Sequence, residues 1–352
     1  MNVLSGMQAQ GHEAVVFFSD PATGLRSIVA IHDTTLGPAV GGARMWVYPS
    51  EEAALEDVLR LAKAMTYKAA VAGLDLGGGK GLIIGDPRKD KTEALLRAYA
   101  RAVDSLGGRY ITAEDVGTTP EDLAVFMQET RWMVGRPLEA GGSGDSAPLT
   151  GYGVFQGMRA CALEVFGNPS VEGKTVAIQG FGKVASNRAG YLKEGGARLV
   201  VTEIDPSARD RAAREFGARI VEPEAIYDVD CDIFAPCALG GVLTEETVPR
   251  LRCGIVAGGA NNQLADPGGG EQLRRAGILY APDYVINAGG LINLSLEMTM
   301  YDPEAARVRV EGIFDTMTRI IATAKQDDVA TADAADRMAL ARLDAARAQR
   351  LS

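Results

Sequence analysis

The chain has 352 residues, a length suited to about two domains, and 47% of them are hydrophobic, enough for full cores. Its net charge is −10 and it has no basic stretch of the kind that neutralises phosphates, which argues against nucleic acid as a partner. The first ten residues lack a basic n-region with a long apolar core, and no apolar run approaches the ~20 residues of a membrane helix, so neither a signal peptide nor a membrane span is expected.

Residues 14–18 and 25–32 read as strands. Ser50 can cap a helix that opens on Glu51 and Glu52, acids well placed for its dipole. The stripe Leu55, Val58, Leu61, Ala62, Met65 follows helical spacing, and Lys68 continues it onto the buried face. There Lys68 is either an ammonium that needs an anion or a lysine snorkelling from the helix end.

The stretch 67–81, Y-K-A-A-V-A-G-L-D-L-G-G-G-K-G, sets two lysines among small and apolar residues. Lysine is costly to bury and glycine costs backbone entropy, so stability alone does not explain the segment. Lys80 follows three glycines, but a phosphate loop would need Gly at 74 and Ser or Thr at 81, where the chain has Leu74 and Gly81. That leaves a desolvated lysine of lowered pKa suited to general-base work, or a turn lysine in water.

Residues 81–85 read as a short buried strand, 92–106 as a helix closed by Gly107-Gly108, and 109–113 as a strand. Asp115, just beyond, is either a proton relay paired with a lysine or an ordinary strand-end acid. Thr119-Pro120-Glu121 starts a helix. Residues 135–148, rich in Gly, Ser and Pro, read as an interdomain linker, and Thr150 as the cap of a helix over 151–166.

From 174 onward strands (174–179, 198–203, 231–235, 255–257) alternate with helices (184–194, 206–216), as in a parallel sheet covered on both faces. Residues 303–352 read as helices. Between the first strand and helix of this alternation, Gly180-Phe181-Gly182-Lys183-Val184-Ala185 fits G-x-G-x-x-A, with Glu203 at the end of the next strand. Gly180 allows the tight turn, Gly182 lets a pyrophosphate approach, and the helix N-terminus faces it. Glu203 can hold the adenosine ribose and would repel a 2′-phosphate, which favours NAD over NADP. Asp205 competes for that role, and the motif alone also admits a flavin. Asn261 and Asn262 follow a strand at the ligand-binding end of such a sheet, or form a turn.

Cys161, Cys231, Cys237 and Cys253 form no C-x-x-C pair, and His12 and His32 are the only histidines. No metal site is expected; reduced, cytoplasmic thiols are. Proton chemistry must rest largely on other residues.

Together these segments resemble the Glu/Leu/Phe/Val amino-acid dehydrogenase family, above all its leucine-specific members. The resemblance spans nearly the whole chain. It is carried by G-P-A-V-G-G-A-R-M-W (37–46), A-M-T-Y-K (64–68), G-G-G-K (77–80), T-A-E-D-V-G-T (112–118), Q-G-F-G-K-V-A (179–185), C-D-I-F-A-P-C-A (231–238), A-N-N-Q-L (260–264) and A-P-D-Y-V-I-N-A-G-G (281–290).

The resemblance implies an α/β chain of two domains. A substrate-binding and catalytic domain covers 1–140, an NAD-binding Rossmann domain covers 141–329, and the C-terminal helix (330–352) returns to the first. The implied reaction is reversible, NAD-dependent deamination of an L-amino acid to a 2-oxo acid and ammonia. Lys80 is then the general base and Asp115 the proton shuttle. Lys68 holds the substrate carboxylate with Asn262 and the backbone at Gly41-Gly42. Gly180, Gly182, Lys183, Val184, Glu203 and Ala238 bind the dinucleotide, with Thr150 and Asn261 at the nicotinamide carboxamide and Asn287 near that ring.

The side-chain pocket falls to Val40, Ala113, Leu291 and Leu294. All four are apolar, which disfavours glutamate. Ala113 matches aliphatic-specific members, whereas Leu291 and Gly144-Asp145 lean toward phenylalanine-specific ones. The expectation is a branched aliphatic substrate, with phenylalanine dehydrogenase as the alternative and a non-catalytic dinucleotide-binding regulator as the alternative of another class. The chain ends at Arg350-Leu351-Ser352, short of the tail of leucine-specific members, so a homo-oligomer is implied but not their octamer.

Overall fold

The computed structural model describes residues 3–351. The chain divides into two compact units. The first runs to Asp145 and includes Leu294–Asp302 and the stretch from Ala339 onward; the second holds Ser146–Asn293 and Pro303–Met338. This differs from the expected limits at 140 and 330. The loop 135–145 stays with the first unit because the buried Glu297 carboxylate accepts from the backbone N–H groups of Gly135 (2.9 Å) and Ser143 (2.8 Å) and from the Ser143 hydroxyl. The return lies inside one unbroken helix, Thr331–Leu351, so no local breaker marks it.

The first unit contains α1 (Val3–Gln10), β1 (Ala14–Asp20), β2 (Leu25–Asp33), β3 (Ala39–Trp46), α2 (Glu51–Val71), β4 (Gly77–Ile84), α3 (Glu93–Asp104), β5 (Tyr110–Glu114) and α4 (Pro120–Phe126). Its sheet has the order β1-β2-β4-β3-β5. β1 and β4 run antiparallel to β2, while β3 runs parallel to both β4 and β5. Ser50 caps α2 through Ala53 N–H, and Thr119 and Asp122 form a capping box on α4.

Two features depart from the sequence reading. β3 had no strand signature, because its glycines weaken strand propensity. β4 begins at Gly77 rather than at residue 81, so Lys80 lies in a strand, paired with Ala30 of β2, and not in a turn. Packing explains the glycines: a Cβ at Gly78 would lie 2.1 Å from the Thr66 backbone nitrogen of α2, and one at Gly81 would lie 2.0 Å from the Tyr99 hydroxyl of α3.

The second unit contains α5 (Ala147–Phe166), β6 (Thr175–Gln179), α6 (Lys183–Glu194), β7 (Arg198–Thr202), α7 (Pro206–Phe216), β8 (Arg219–Ile220), β9 (Ile233–Pro236), β10 (Ile255–Val256), α8 (Gly269–Arg275), β11 (Leu279–Tyr280), α9 (Asp283–Ile286), α10 (Gly289–Ser295), α11 (Pro303–Glu311) and α12 (Ile313–Asp327), with α10 ending just past the unit's limit. The six strands are parallel, in the order β11-β10-β9-β6-β7-β8. This is the doubly wound Rossmann order, with its switch point between β6 and β9. The helix expected to be capped by Thr150 starts earlier, because Pro148 sits in its first turn; the Thr150 hydroxyl instead donates to the Ser146 carbonyl at 2.9 Å.

The last helix, α13 (Thr331–Leu351), returns to the first unit. There Arg342 donates to the carbonyls of Ala70 (3.0 Å) and Leu74 (2.8 Å) and pairs with Asp75 (2.9 Å), closing off the end of α2.

Candidate active site

Within the first unit the catalytic residues expected from the sequence divide into those the fold joins and those it only positions. Lys80 and Asp115 are joined. Lys80 is only 5% exposed, and its Nζ lies 2.8 Å from Asp115 Oδ2. The pairing depends on Gly41 and Gly42 of β3, which lies between β4 and β5. A Cβ at Gly41 would meet the Gly79 carbonyl oxygen at 1.8 Å, and one at Gly42 would meet Asp115 Cβ at 2.7 Å. The turn after β5 is held by Thr118, whose hydroxyl donates to the Ala43 carbonyl at 2.9 Å.

A residue the sequence reading did not single out completes the cluster. Arg44 Nε donates to the same Asp115 Oδ2 at 2.9 Å, and Arg44 Nη1 to Asp57 Oδ2 at 3.1 Å, which also accepts from the Tyr48 hydroxyl at 2.6 Å. Its signal was present in G-G-A-R-M-W, an arginine alternating with the buried Ala43 and Met45 on a strand flanking the site.

Burial pushes the Lys80 pKa below the ordinary lysine value; the Asp115 carboxylate opposes that shift, and the Arg44 guanidinium adds to it. Burial pushes the Asp115 carboxyl up, but Lys80 and Arg44 outweigh it and hold it below the usual carboxylate range. A lysine poised to give up its proton therefore sits beside a carboxylate that stays ionised.

Lys68 lies half-buried in the last turn of α2. Val40 and Ala113 are buried on β3 and β5, and Leu294 is half-buried. Among the described residues no group of three His, Cys, Asp or Glu side chains is placed to hold a metal ion, and no helix is long and apolar enough to cross a membrane.

The second unit carries the dinucleotide features. Gly180 follows β6 at φ +89°, where L side chains are strained, and a Cβ there would lie 2.7 Å from the Ala238 Cβ beyond β9. Only glycine fits this corner of the switch point. Nothing lies within 4 Å of where a Gly182 Cβ would be, so the N-terminus of α6 faces open space. Lys183 is exposed and Val184 half-buried in the first turn of α6; a cation there opposes the helix dipole unless an anion sits with it. The residues thus fit a pyrophosphate.

Glu203 is already engaged: Oε2 accepts from Phe181 N–H at 2.6 Å and Oε1 from the N–H groups of Ile204 (2.6 Å) and Asp205 (2.9 Å). Asp205 instead caps α7 through Ala208 N–H at 2.8 Å. Of the two acids, Glu203 is the one bonded to the glycine loop. Asn287 Nδ2 donates to Asn261 Oδ1 at 2.8 Å, while its own buried Oδ1 has no hydrogen-bond partner among the described residues. A carboxamide NH2 would satisfy that acceptor. Asn262 adopts φ +53°, a left-handed conformation that asparagine takes more readily than other residues with a side chain. Leu291 is buried on α10.

Comparison with known proteins agrees with both halves. Residues 12–132 match the Glu/Leu/Phe/Val dehydrogenase dimerisation domain, and residues 141–208 and 206–350 match the Glutamate/Leucine/Phenylalanine/Valine dehydrogenase family. The chain is 53% identical to the leucine dehydrogenase of Geobacillus stearothermophilus over 99% of its own length and 95% of that protein. It is 48% identical to the valine dehydrogenase of Streptomyces virginiae over 96% of its length and 95% of that protein. The crystal structure of L-tryptophan dehydrogenase from Nostoc punctiforme superimposes with a TM-score of 0.84 at 46% identity, covering 98% of this chain and 99% of that one. A sheet that buries a lysine–carboxylate pair, a doubly wound domain with a glycine loop, and these matches along almost the whole chain lead to one conclusion: the protein belongs to the Glu/Leu/Phe/Val family of amino-acid dehydrogenases.

Proposed function

We propose that the chain catalyses the reversible, NAD-dependent oxidative deamination of branched-chain L-amino acids to 2-oxo acids and ammonia. The observation that carries this reading is the buried Lys80–Asp115 pair with Arg44 on the same carboxylate oxygen. Lys68 binds the substrate carboxylate, with Asn262 and the backbone at Gly41-Gly42. Neutral Lys80 takes the proton of the substrate ammonium. It gives that proton up to solvent, and later takes one from the water that attacks the imine carbon. Asp115 passes protons to and from nitrogen as the carbinolamine forms and collapses. Bound NAD would supply the acceptor for the hydride that leaves the substrate Cα. Gly180, Gly182, Lys183 and Val184 would hold its pyrophosphate and Glu203 its ribose; Thr150 and Asn261 would position its carboxamide, with Asn287 near the ring and Ala238 also on the dinucleotide. In sum, amino acid, NAD+ and water give 2-oxo acid, ammonium and NADH, with one proton released.

Val40, Ala113, Leu291 and Leu294 offer no partner for a second carboxylate, and relatives about half identical to this chain are leucine and valine dehydrogenases. Leu291 supports a second, aromatic reading. The family match to a dimerisation domain supports assembly as a homo-oligomer. The test is a set of kcat/KM values for leucine, valine, isoleucine and phenylalanine with NAD and with NADP. The expected result is an aliphatic substrate ranked first and NAD preferred. A higher value for phenylalanine would move the assignment to the aromatic branch, and absence of NADH formation with every amino acid would overturn it.

A further inference from the structure

Two of the four cysteines are neighbours, although they lie far apart in sequence. β9 and β10 are parallel, with Ile233 beside Ile255, and the same register extends back to a bridge between Asp230 and Arg252. Cys231 and Cys253 therefore face each other across adjacent strands, locked by Cys231 N–H to the Arg252 carbonyl (3.1 Å) and Gly254 N–H to the Asp232 carbonyl (3.2 Å). Both are half-exposed and line one open depression of about 550 Å³, with Asp230, Pro249 and Arg252 on its wall. Adjacent strands sit about 4.8 Å apart, inside the roughly 4.4–6.8 Å Cα separation a disulfide accepts. The other two cysteines differ: Cys161 is buried, and Cys237 Sγ accepts from Arg188 Nη1 (3.0 Å) and Gly259 N–H (3.3 Å).

We propose that Cys231 and Cys253 form a vicinal dithiol site that reacts with small-molecule disulfides and closes to an intramolecular bridge. Cys253 is the attacking sulfur: the neighbouring Cys231 thiol holds the Cys253 thiol below the ordinary range against the effect of burial, while Cys253 and burial push Cys231 up. The Cys253 thiolate attacks one sulfur of the reagent, forming a mixed disulfide and expelling one thiolate. Cys231 then loses its proton and attacks Cys253 Sγ, expelling the second thiolate. Two protein thiols and one disulfide become one protein disulfide and two small thiols. The pair precedes β9 and β10, at their amino ends, whereas Ala238 and Asn261 follow the same strands at the carboxyl ends. The site is thus separate from the dinucleotide features.

The test is incubation of the intact protein with glutathione disulfide, followed by alkylation and peptide mass spectrometry. The expected product is a peptide pair joined through Cys231 and Cys253, with no lasting glutathione adduct. Cys231→Ser should trap glutathione on Cys253, and Cys253→Ser should slow the first reaction at least about tenfold. A wild-type protein that keeps a stable adduct, or that leaves both thiols free while Cys231→Ser gains no glutathione, would overturn the proposal.

Discussion

The five-stranded sheet of the first unit and the six-stranded sheet of the second use opposite means. The first buries charge: a buried Lys80 and a half-buried Arg44 meet on one oxygen of Asp115. The second presents dipoles: a helix N-terminus beside an open glycine, the Glu203 carboxylate satisfied by backbone N–H groups, and linked asparagine amides. The difference follows from the tasks. Moving a proton requires a titratable group whose neighbours set its pKa, and desolvation makes those neighbours effective. Holding a ligand without giving it or taking from it a proton requires oriented donors and acceptors, which backbone and amides supply without titrating.

If the two regions divide the work in this way, single changes should separate proton chemistry from dinucleotide binding. Lys80→Ala should lower kcat by about a thousandfold or more, the scale of a lost general base, and leave the dinucleotide Kd within about twofold. Loss of dinucleotide affinity, measured by NADH fluorescence titration, would show that the division fails. Asp115→Asn should cost on the order of a hundredfold in kcat and also move the pH profile. With Lys80 as the proposed base, activity should rise with pH as Lys80 loses its proton, and the Asp115 carboxylate raises the Lys80 pKa. Removing that charge should move the rise of kcat/KM to lower pH. Arg44 acts in the other sense, so Arg44→Gln should move the rise to higher pH; the same direction in both variants would refute the electrostatic account.

Gly180→Ala should leave the proton chemistry alone. Its φ of +89° and the contact with Ala238 should weaken dinucleotide binding by about tenfold, the equivalent of about 1.4 kcal/mol, with the pH profile unchanged. An effect of comparable size is expected at the substrate side chain. Leu291→Val should shift the ranking toward longer side chains by a few-fold to tens of fold, because one methylene is worth about 1–3 kcal/mol. An unchanged ranking would remove residue 291 from the pocket.

The two regions were also unequally legible. The dinucleotide half reads from sequence because its parts are local: the glycine motif, the strand before it, the helix after it and Glu203 lie within one strand–helix–strand unit. The catalytic half is assembled across distance. Residues 77–80 left Lys80 open between a desolvated base and a turn lysine; they are a central strand, because the glycines answer to α2 and α3 packed on that strand, contacts invisible in the segment itself. Arg44 went unnoticed for the same reason: its meaning depends on Asp57 and Asp115, brought to it by α2 and β5.

The sequence by itself determined the family, the doubly wound second unit, the caps of α2 and α4, and the residue types able to carry the chemistry. Hydrophobic periodicity, capping and turn chemistry act over a few residues and can be read from a few residues. Only the tertiary structure decided that Lys80 is desolvated, that its partner is Asp115 with Arg44 sharing the same oxygen, and that Cys231 stands beside Cys253. Burial and strand register are properties of the whole sheet: a lysine's pKa depends on what surrounds it in space, and no window of sequence contains those surroundings.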